Sequence, residues 1–388
     1  MKQGNKINGY FIIFLVGFSG LISASDNWIA SLLLPDISGS FSISIAKASI
    51  VLTAYLIPYG VMQPIYGFYS DTYGKKFILH ILMFFLAIST LFCSLAQSIL
   101  WLALFRFITG FFAAGIIAVS MGILGDFFQK EQLVKYVGIF FGIVFLGQGL
   151  SSGIGGWLIQ LISWKDIFFI FSIMAFCSFI LIFFMPKTSV QNNKDHFWIS
   201  IIKLLKNPNL FMIYLLAFCN GFVVLGGYSF IGSYLTQSLS IDYRSVGCGL
   251  MLFGLACFIC GLSNQSILKK TSATIVLSFG LFSSFFAFLL LSFQRVSAAY
   301  VAILLLGFGY VFVQSILASR ALDLAPENKG LSSGLVGVGI FGGGGLGTWL
   351  GSAILKQSNY QDLFLIFALL VIIPLCICVS RRKVFIFS

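Results

Sequence analysis

The chain has 388 residues, 59% of them hydrophobic and only 9% charged, with a mean hydropathy of +1.03. Soluble globular chains carry about 25% charged and 45–50% apolar residues, so a water-soluble fold is excluded, and disorder, collagen, coiled coil and a disulfide scaffold with it. The net charge of +12, from 23 Lys and Arg against 11 acids, does not point to nucleic acid, because the basic excess sorts by membrane side.

A membrane-crossing helix uses about 20 apolar residues. Polar punctuation predicts twelve of them, at 10–35, 46–69, 77–96, 99–124, 133–162, 165–185, 209–237, 244–267, 272–293, 297–321, 330–355 and 360–380. The apolar runs are continuous rather than alternating, which excludes a transmembrane β-barrel. Met1–Ser25 has signal-peptide features: Lys2 and Lys6, an apolar run from Tyr10, then Ser23-Ala24-Ser25. Its removal would leave eleven helices and break the symmetry described below, so it is read as part of a retained first span.

If the N-terminus is cytoplasmic, 17 basic residues fall on that side and five (Lys47, Lys165, Arg244, Arg295 and Lys356) fall outside. This positive-inside pattern predicts cytoplasmic termini and a multi-pass protein of a bacterial plasma (inner) membrane. The eight cysteines lie in or beside apolar spans, where free Cys behaves as a small hydrophobe. Cys257-x-x-Cys260 has a metal or redox spacing but no second ligand pair, and reads as packing. The run from Gly342 to Gly347 satisfies a dinucleotide pattern literally, but no strand precedes it; it reads as a helix-packing surface.

The longest polar connection, 186–208, carries Lys187, Lys194, Asp195, His196, Lys203 and Lys206 and falls mid-chain. It divides an N-terminal six-helix bundle, 1–185, from a C-terminal one, 209–388. The sequence is weakly self-similar at an offset of 194. Gly67, Lys75 and Lys76 recur as Gly261, Lys269 and Lys270; Gly149 and Gly153 as Gly343 and Gly347; Lys135 as Lys329. The expected fold is an all-α membrane protein of twelve transmembrane helices, in two pseudo-symmetric six-helix bundles around a central cavity. Parallel repeats of this kind build a site near the bilayer midplane in secondary transporters.

The segment Gly67-Phe-Tyr-Ser-Asp71-Thr-Tyr-Gly74-Lys75-Lys76 resembles the G-x-x-x-D-x-x-G-[RK]-[RK] signature of the major facilitator superfamily, between the second and third spans. Leu102, Arg106, Gly110, Ala113 and Ala114 resemble its fourth-span motif, L-x-x-x-R-x-x-x-G-x-x-A. Asp26 to Pro35 is similar to the first-span pattern of twelve-helix drug:proton antiporters. The fifth span departs from the antiporter element G-P-x-x-G-G, reading Ser151-Ser152-Gly153-Ile154-Gly155-Gly156 without the proline. The resemblance implies that the first and fourth helices line a cavity. It also implies that Asp71 acts in a gate latch, against a base or the positive N-terminus of the eleventh helix near Gly330, with Asp126 as a partner. In that reading Gly67 permits close helix approach, Gly74 a tight turn, and Lys75 and Lys76 anchor the cytoplasmic face. Gln265 stands where the second half would need the acid, so the latch is expected to be asymmetric.

Of the 34 charged residues, only Asp26 and Arg106 lie deep within spans. A charge at the centre of an isolated helix costs at least ~2.5–3.5 kcal/mol, so both are expected to face an interior. Asp26 lies nine residues before Pro35 and Arg106 seven residues into its span, roughly 13 and 10 Å from the outer side at ~1.5 Å per residue. At nearly equal depth they are expected to pair, Asp26 as the protonatable coupling residue and Arg106 as the counter-charge that favours its carboxylate when close. The alternative is a static pair that only pins two helices. Candidates for substrate contact are Asn27, Tyr55, Tyr59, Gln63, Gln148, Asn220 (the offset counterpart of Asp26) and Gln314; interhelical hydrogen bonding is the alternative role for each.

No G-x-x-x-x-G-K-[ST] phosphate loop occurs, and the two His and few acids form no cluster. This excludes a nucleotide-driven pump and gives no cofactor and no enzyme. The expectation is a monomeric secondary transporter with a small-molecule substrate, protons and the bilayer as partners. Its leading form is proton-coupled efflux of an amphipathic or drug-like compound. Proton-coupled import of a small metabolite or siderophore, and a transport-inactive sensor or scaffold, are the alternatives.

Overall fold

The computed structural model describes residues 9–380 apart from 44, 49, 129, 160, 189, 191–195 and 269. Both terminal segments with Lys2, Lys6, Arg381, Arg382 and Lys383, the linker's Lys194 and Asp195, and Lys269 of the repeat lie outside the described residues. The long helices are α1 (Gly9–Leu32), α2 (Ile50–Tyr73), α3 (Lys75–Ser94), α4 (Ile99–Phe127), α5 (Lys130–Leu158), α6 (Trp164–Ile182), α7 (Pro208–Gln237), α8 (Tyr243–Leu268), α9 (Ala273–Ser292), α10 (Val296–Leu324), α11 (Lys329–Leu355) and α12 (Tyr360–Ser380). Short helices cover Leu34–Ser40, Ile45–Ala48 and Phe197–Lys206. No strand occurs among the described residues.

Eleven of the long helices are apolar enough to cross a membrane among the described residues. The exception is α2. Its 24 residues suffice in length, but five tyrosines, Gln63, Pro58 and Pro64 lower its apolarity. Two expected boundaries move here. The first span stops at Leu32, and Pro35 sits in the first turn of a separate helix, Leu34–Ser40, where a missing N–H is harmless. The second, described from Ile50, runs on to Tyr73 rather than 69, ending at Gly74, whose φ of +99° turns the chain sharply into α3. α1 is continuous through Ser23-Ala24-Ser25, and α7 carries a π-helical turn, Gly221–Leu225, directly after Asn220.

One end of the molecule collects the loops after α2, α4, α6, α8 and α10. Lys76 reaches back to the Phe183 and Met185 carbonyls, and Lys329 donates to the Gly125 carbonyl at 2.5 Å. This end carries Lys75, Lys76, Lys187, Lys203, Lys206, Lys270 and Lys329, and is called the basic face below. At the other end Trp164 donates to Ser40 and Tyr360 to Gln237. Large apolar side chains such as Phe169, Phe176, Phe279 and Phe286 stand exposed around the outside, as a lipid solvent permits.

Between helices the packing is backbone on backbone. A Cβ at Gly67 in α2 would overlap the Gly330 carbonyl of α11, and one at Gly261 in α8 would overlap the Gly138 carbonyl of α5. These two crossings involve the glycines related by the offset of 194. Gly110 in α4 meets the Tyr55 carbonyl of α2, and Gly343 and Gly347 in α11 meet the Phe218 and Phe222 carbonyls of α7. Helices in lipid gain little from apolar burial, so close approach of small residues supplies the attraction. Cys257 and Cys260 in α8 are buried and donate to the Gly307 and Phe308 carbonyls of α10. Gly110→Leu is expected to destabilise by about 1–3 kcal/mol, the usual cost of overpacking, read as a lower melting temperature in detergent; Gly342→Leu, with open space at its Cβ, should leave it nearly unchanged.

Candidate functional site

Asp26 and Arg106 meet. The Arg106 Nη1 donates to Asp26 Oδ2 at 2.9 Å, and its Nη2 donates to the Asp26 backbone carbonyl at 3.4 Å. Both side chains are fully enclosed, 1% and 0% exposed. Arg106 lies 4.3 Å above the Tyr55 ring and 5.4 Å from the Phe168 ring, so aromatic faces supply what water would otherwise give the guanidinium. Gly110, one turn along α4, lets Tyr55 and Arg106 come this close.

A cavity of about 540 Å³ lies between α1, α2, α7 and α11, on the side of the ion pair away from the basic face. Asn27, Trp28, Tyr59, Leu225, Phe341 and Thr348 line it, with Gly342, Gly344 and Gly345 forming one wall. Its floor connects to the ion pair through stacked rings. Phe341 meets Tyr59 edge-on at 5.1 Å, Tyr59 stacks on Tyr55 at 5.5 Å, and Tyr55 carries Arg106. Toward the basic face the space closes. Gln63, Phe145, Tyr310 and Gly337 leave a void of only about 10 Å³.

The basic end of α2 is tied to α11. Asp71 accepts from the Gly330 and Leu331 backbone amides at 2.9 and 3.0 Å, two of the orphan donors at the α11 N-terminus. Lys75 bridges Asp71 at 2.9 Å and Asp126 at 3.0 Å, and Lys329 approaches Asp126 at 3.6 Å. Two acids and two lysines thus form a closed, neutral set. Lys75 is 0% exposed inside this cluster, because its NH₃⁺ sits between two carboxylates. Lys76, by contrast, clamps the chain after α6 through the Phe183 and Met185 carbonyls, while its amide donates to Thr188 Oγ1 at 3.1 Å.

Of the expected substrate-contact residues, Asn27 and Tyr59 line the cavity, Tyr55 lies behind Tyr59, and Gln63 fills the closed region beneath it. Gln148, Asn220 and Gln314 are buried and do not line the cavity. Offset partners diverge: Lys329 joins the Asp126 cluster, whereas Lys135 bonds the Tyr10 hydroxyl at 2.9 Å. Sequence reasoning missed Trp28, Phe341 and Lys329. Trp28, two residues from Asp26, was detectable as an aromatic beside a buried charge; Phe341, within an apolar run, gave no signal.

The Major Facilitator Superfamily profile matches residues 16–348. The chain belongs to the Major Facilitator Superfamily. Multidrug transporter protein MdtP of Bacillus subtilis strain 168 is 28% identical over 170 residues, 44% of this chain and 31% of that protein; the chain thus spans under a third of the length of that relative. The uncharacterized transporter YceJ of the same organism is 22% identical over 361 residues, 91% of each chain. The human organic anion transporter MFSD10 shares the fold, with a TM-score of 0.81 and 14% identity over 96% of this chain and 100% of that one.

Two outcomes follow. Arg106→Ala leaves Asp26 without its counter-charge, at a cost of about 3–5 kcal/mol. Thermal unfolding should show a larger loss than in Asp26→Asn/Arg106→Gln, and the Arg106→Ala deficit should shrink as pH falls, because a protonated Asp26 needs no partner. Asp71→Asn weakens the α2–α11 tie by about 1.4 kcal/mol or more, so thiol labelling of Ser333→Cys, buried beside Ala118, should rise roughly tenfold.

Proposed function

We propose that this chain is a secondary transporter coupling proton movement to efflux of an amphipathic or drug-like compound by alternating access. Residues 1–185 and 209–388 are read as its two six-helix units. The observation that carries the reading is the unbroken path from cavity wall to buried charge: Phe341, Tyr59, Tyr55, Arg106, Asp26. A compound pressing on Phe341 or Tyr59 shifts Tyr55, and Tyr55 positions the guanidinium. Displacing the guanidinium leaves Asp26 a buried carboxylate without a counter-charge, which neutralises by taking a proton. Cargo and proton thereby compete through one residue, as exchange requires.

Two observations support export. With the basic face cytoplasmic, the described conformation is sealed inside by the Asp71–Lys75–Asp126 tie and carries its cavity toward the outside, the arrangement that receives an external proton after cargo has left. The names of multidrug relatives favour export. Asn27 and Tyr59 are the proposed cargo contacts, and Gln63, Gln148, Asn220 and Gln314 hydrogen-bonding groups for other conformations.

Proteoliposomes with an imposed pH gradient test this, using ethidium and tetraphenylphosphonium as probes and a sodium gradient as a parallel arm. The wild type should drive either probe against the proton flow, and Asp26→Asn should abolish gradient-driven flux while leaving binding. Tyr59→Ala should raise KM at least several-fold. Undiminished coupling in Asp26→Asn overturns the reading; movement of a solute with the proton assigns import, and absence of any flux assigns a sensor.

A further inference from the structure

A second cavity, larger than the first, shares no lining residue with it. At the basic face an open groove of about 630 Å³ runs between α3, the ends of α2 and α6 and the chain after α6. Its chemistry is graded along α3. Lys76, His80 and Phe84 recur every fourth residue on one side, so about 6 Å separates each step and roughly 12 Å the ends. Lys187 and Thr188 join Lys76 at the rim. Deeper in, Phe84, Phe85 and Phe179 make an aromatic floor, and the His80 ring stands edge-on to Phe179 and Phe183 at 4.8 and 4.1 Å. No acidic side chain lines the space among the described residues; the nearby acids Asp71 and Asp126 are taken up by Lys75 on the other side of α3.

We infer that this groove holds an anionic phospholipid of the surrounding bilayer. Its occupant must be negative at the rim, apolar about 12 Å deeper, and delivered from the lipid side of the molecule. A phospholipid phosphate meets the two lysine ammonium groups and the Thr188 hydroxyl at the level where headgroups lie. One acyl chain then runs along Phe84 and Phe179, covering one ring that is 36% exposed and one that is half-buried. A zwitterionic lipid offers the same chain but no net charge for the lysines. Consecutive residues of α3 divide the labour: Lys75 faces inward to the carboxylates, while Lys76, two of whose N–H groups hold the Phe183 and Met185 carbonyls, keeps the third for the lipid.

The test is native mass spectrometry of the purified full chain in detergent, titrated with dioleoylphosphatidylglycerol and dioleoylphosphatidylcholine. Each basic residue near an anionic surface contributes roughly a fivefold factor, so two lysines should give phosphatidylglycerol a preference of roughly 30-fold. Lys187→Gln, an exposed position, should lower it about fivefold, and Lys76→Gln/Lys187→Gln should remove it. Lys203→Gln/Lys206→Gln, on the helix Phe197–Lys206, should keep it, and matching melting curves establish that the variants are folded. Equal retention of both lipids, or an unchanged preference in Lys187→Gln, overturns the inference. A lipid-free dimer would assign the groove to a second copy of the chain.

Discussion

A carboxylate and a guanidinium buried together in a bilayer-spanning interior constrain everything near them. Neither charge is tolerable alone at that depth, so α1 and α4 must present Asp26 and Arg106 to each other. The planar guanidinium then needs faces to lie on, which Tyr55 and Phe168 supply. Bringing α2 near enough for Tyr55 to do so requires a residue without a side chain at 110. The cavity inherits its floor from this arrangement, because Tyr55 and Tyr59 are stacked neighbours on one helix. A single electrostatic requirement thus fixes three helices and the lining residues of the pocket beside them.

The basic face is held by a different balance. Asp71 serves the N-terminus of α11 and Lys75 at once, and Asp126 completes the neutral set with Lys329. The members of this set depend on one another: Asp71 takes its two amide donors from α11, and the two lysines share the two carboxylates. The crossing of α5 and α8 uses the same close glycine contact, Gly138 on Gly261, and among the described residues Asn264 donating to Ser315 stands nearby rather than an ion pair. The two crossings therefore share geometry but not charge.

The fold class was legible because an apolar chain has few solutions in lipid, and the pairing of Asp26 with Arg106 followed from comparing depths along two helices. That Asp71 and Lys75 belong together was legible through a spaced motif. Less was visible where residue type and role part company. Lys75 belongs to a type that almost always faces water, and its burial depends on two acids 4 and 51 positions away in the chain. α2 buries one polar face, with Tyr55, Tyr59, Gln63 and Asp71, while Leu56, Ile57 and Val61 on it stand exposed, so hydropathy averaged over the helix understates it. Gln148, Asn220 and Gln314 are amides in apolar helices, and which cavity each joins is set by helix rotation, which a weakly patterned apolar sequence does not specify.

The glycine run of α11 has an evolutionary consequence. Gly343 and Gly347 are wedged against carbonyls of α7, and any side chain there would force the helices apart. Gly342 and Gly345, interleaved with them, face open space, and both border the cavity. Alternate positions on one short stretch are therefore frozen and free. Selection can narrow the chamber one methyl at a time at 342 and 345 without disturbing the scaffold, so cargo range is expected to diverge among relatives faster than the fold that carries it.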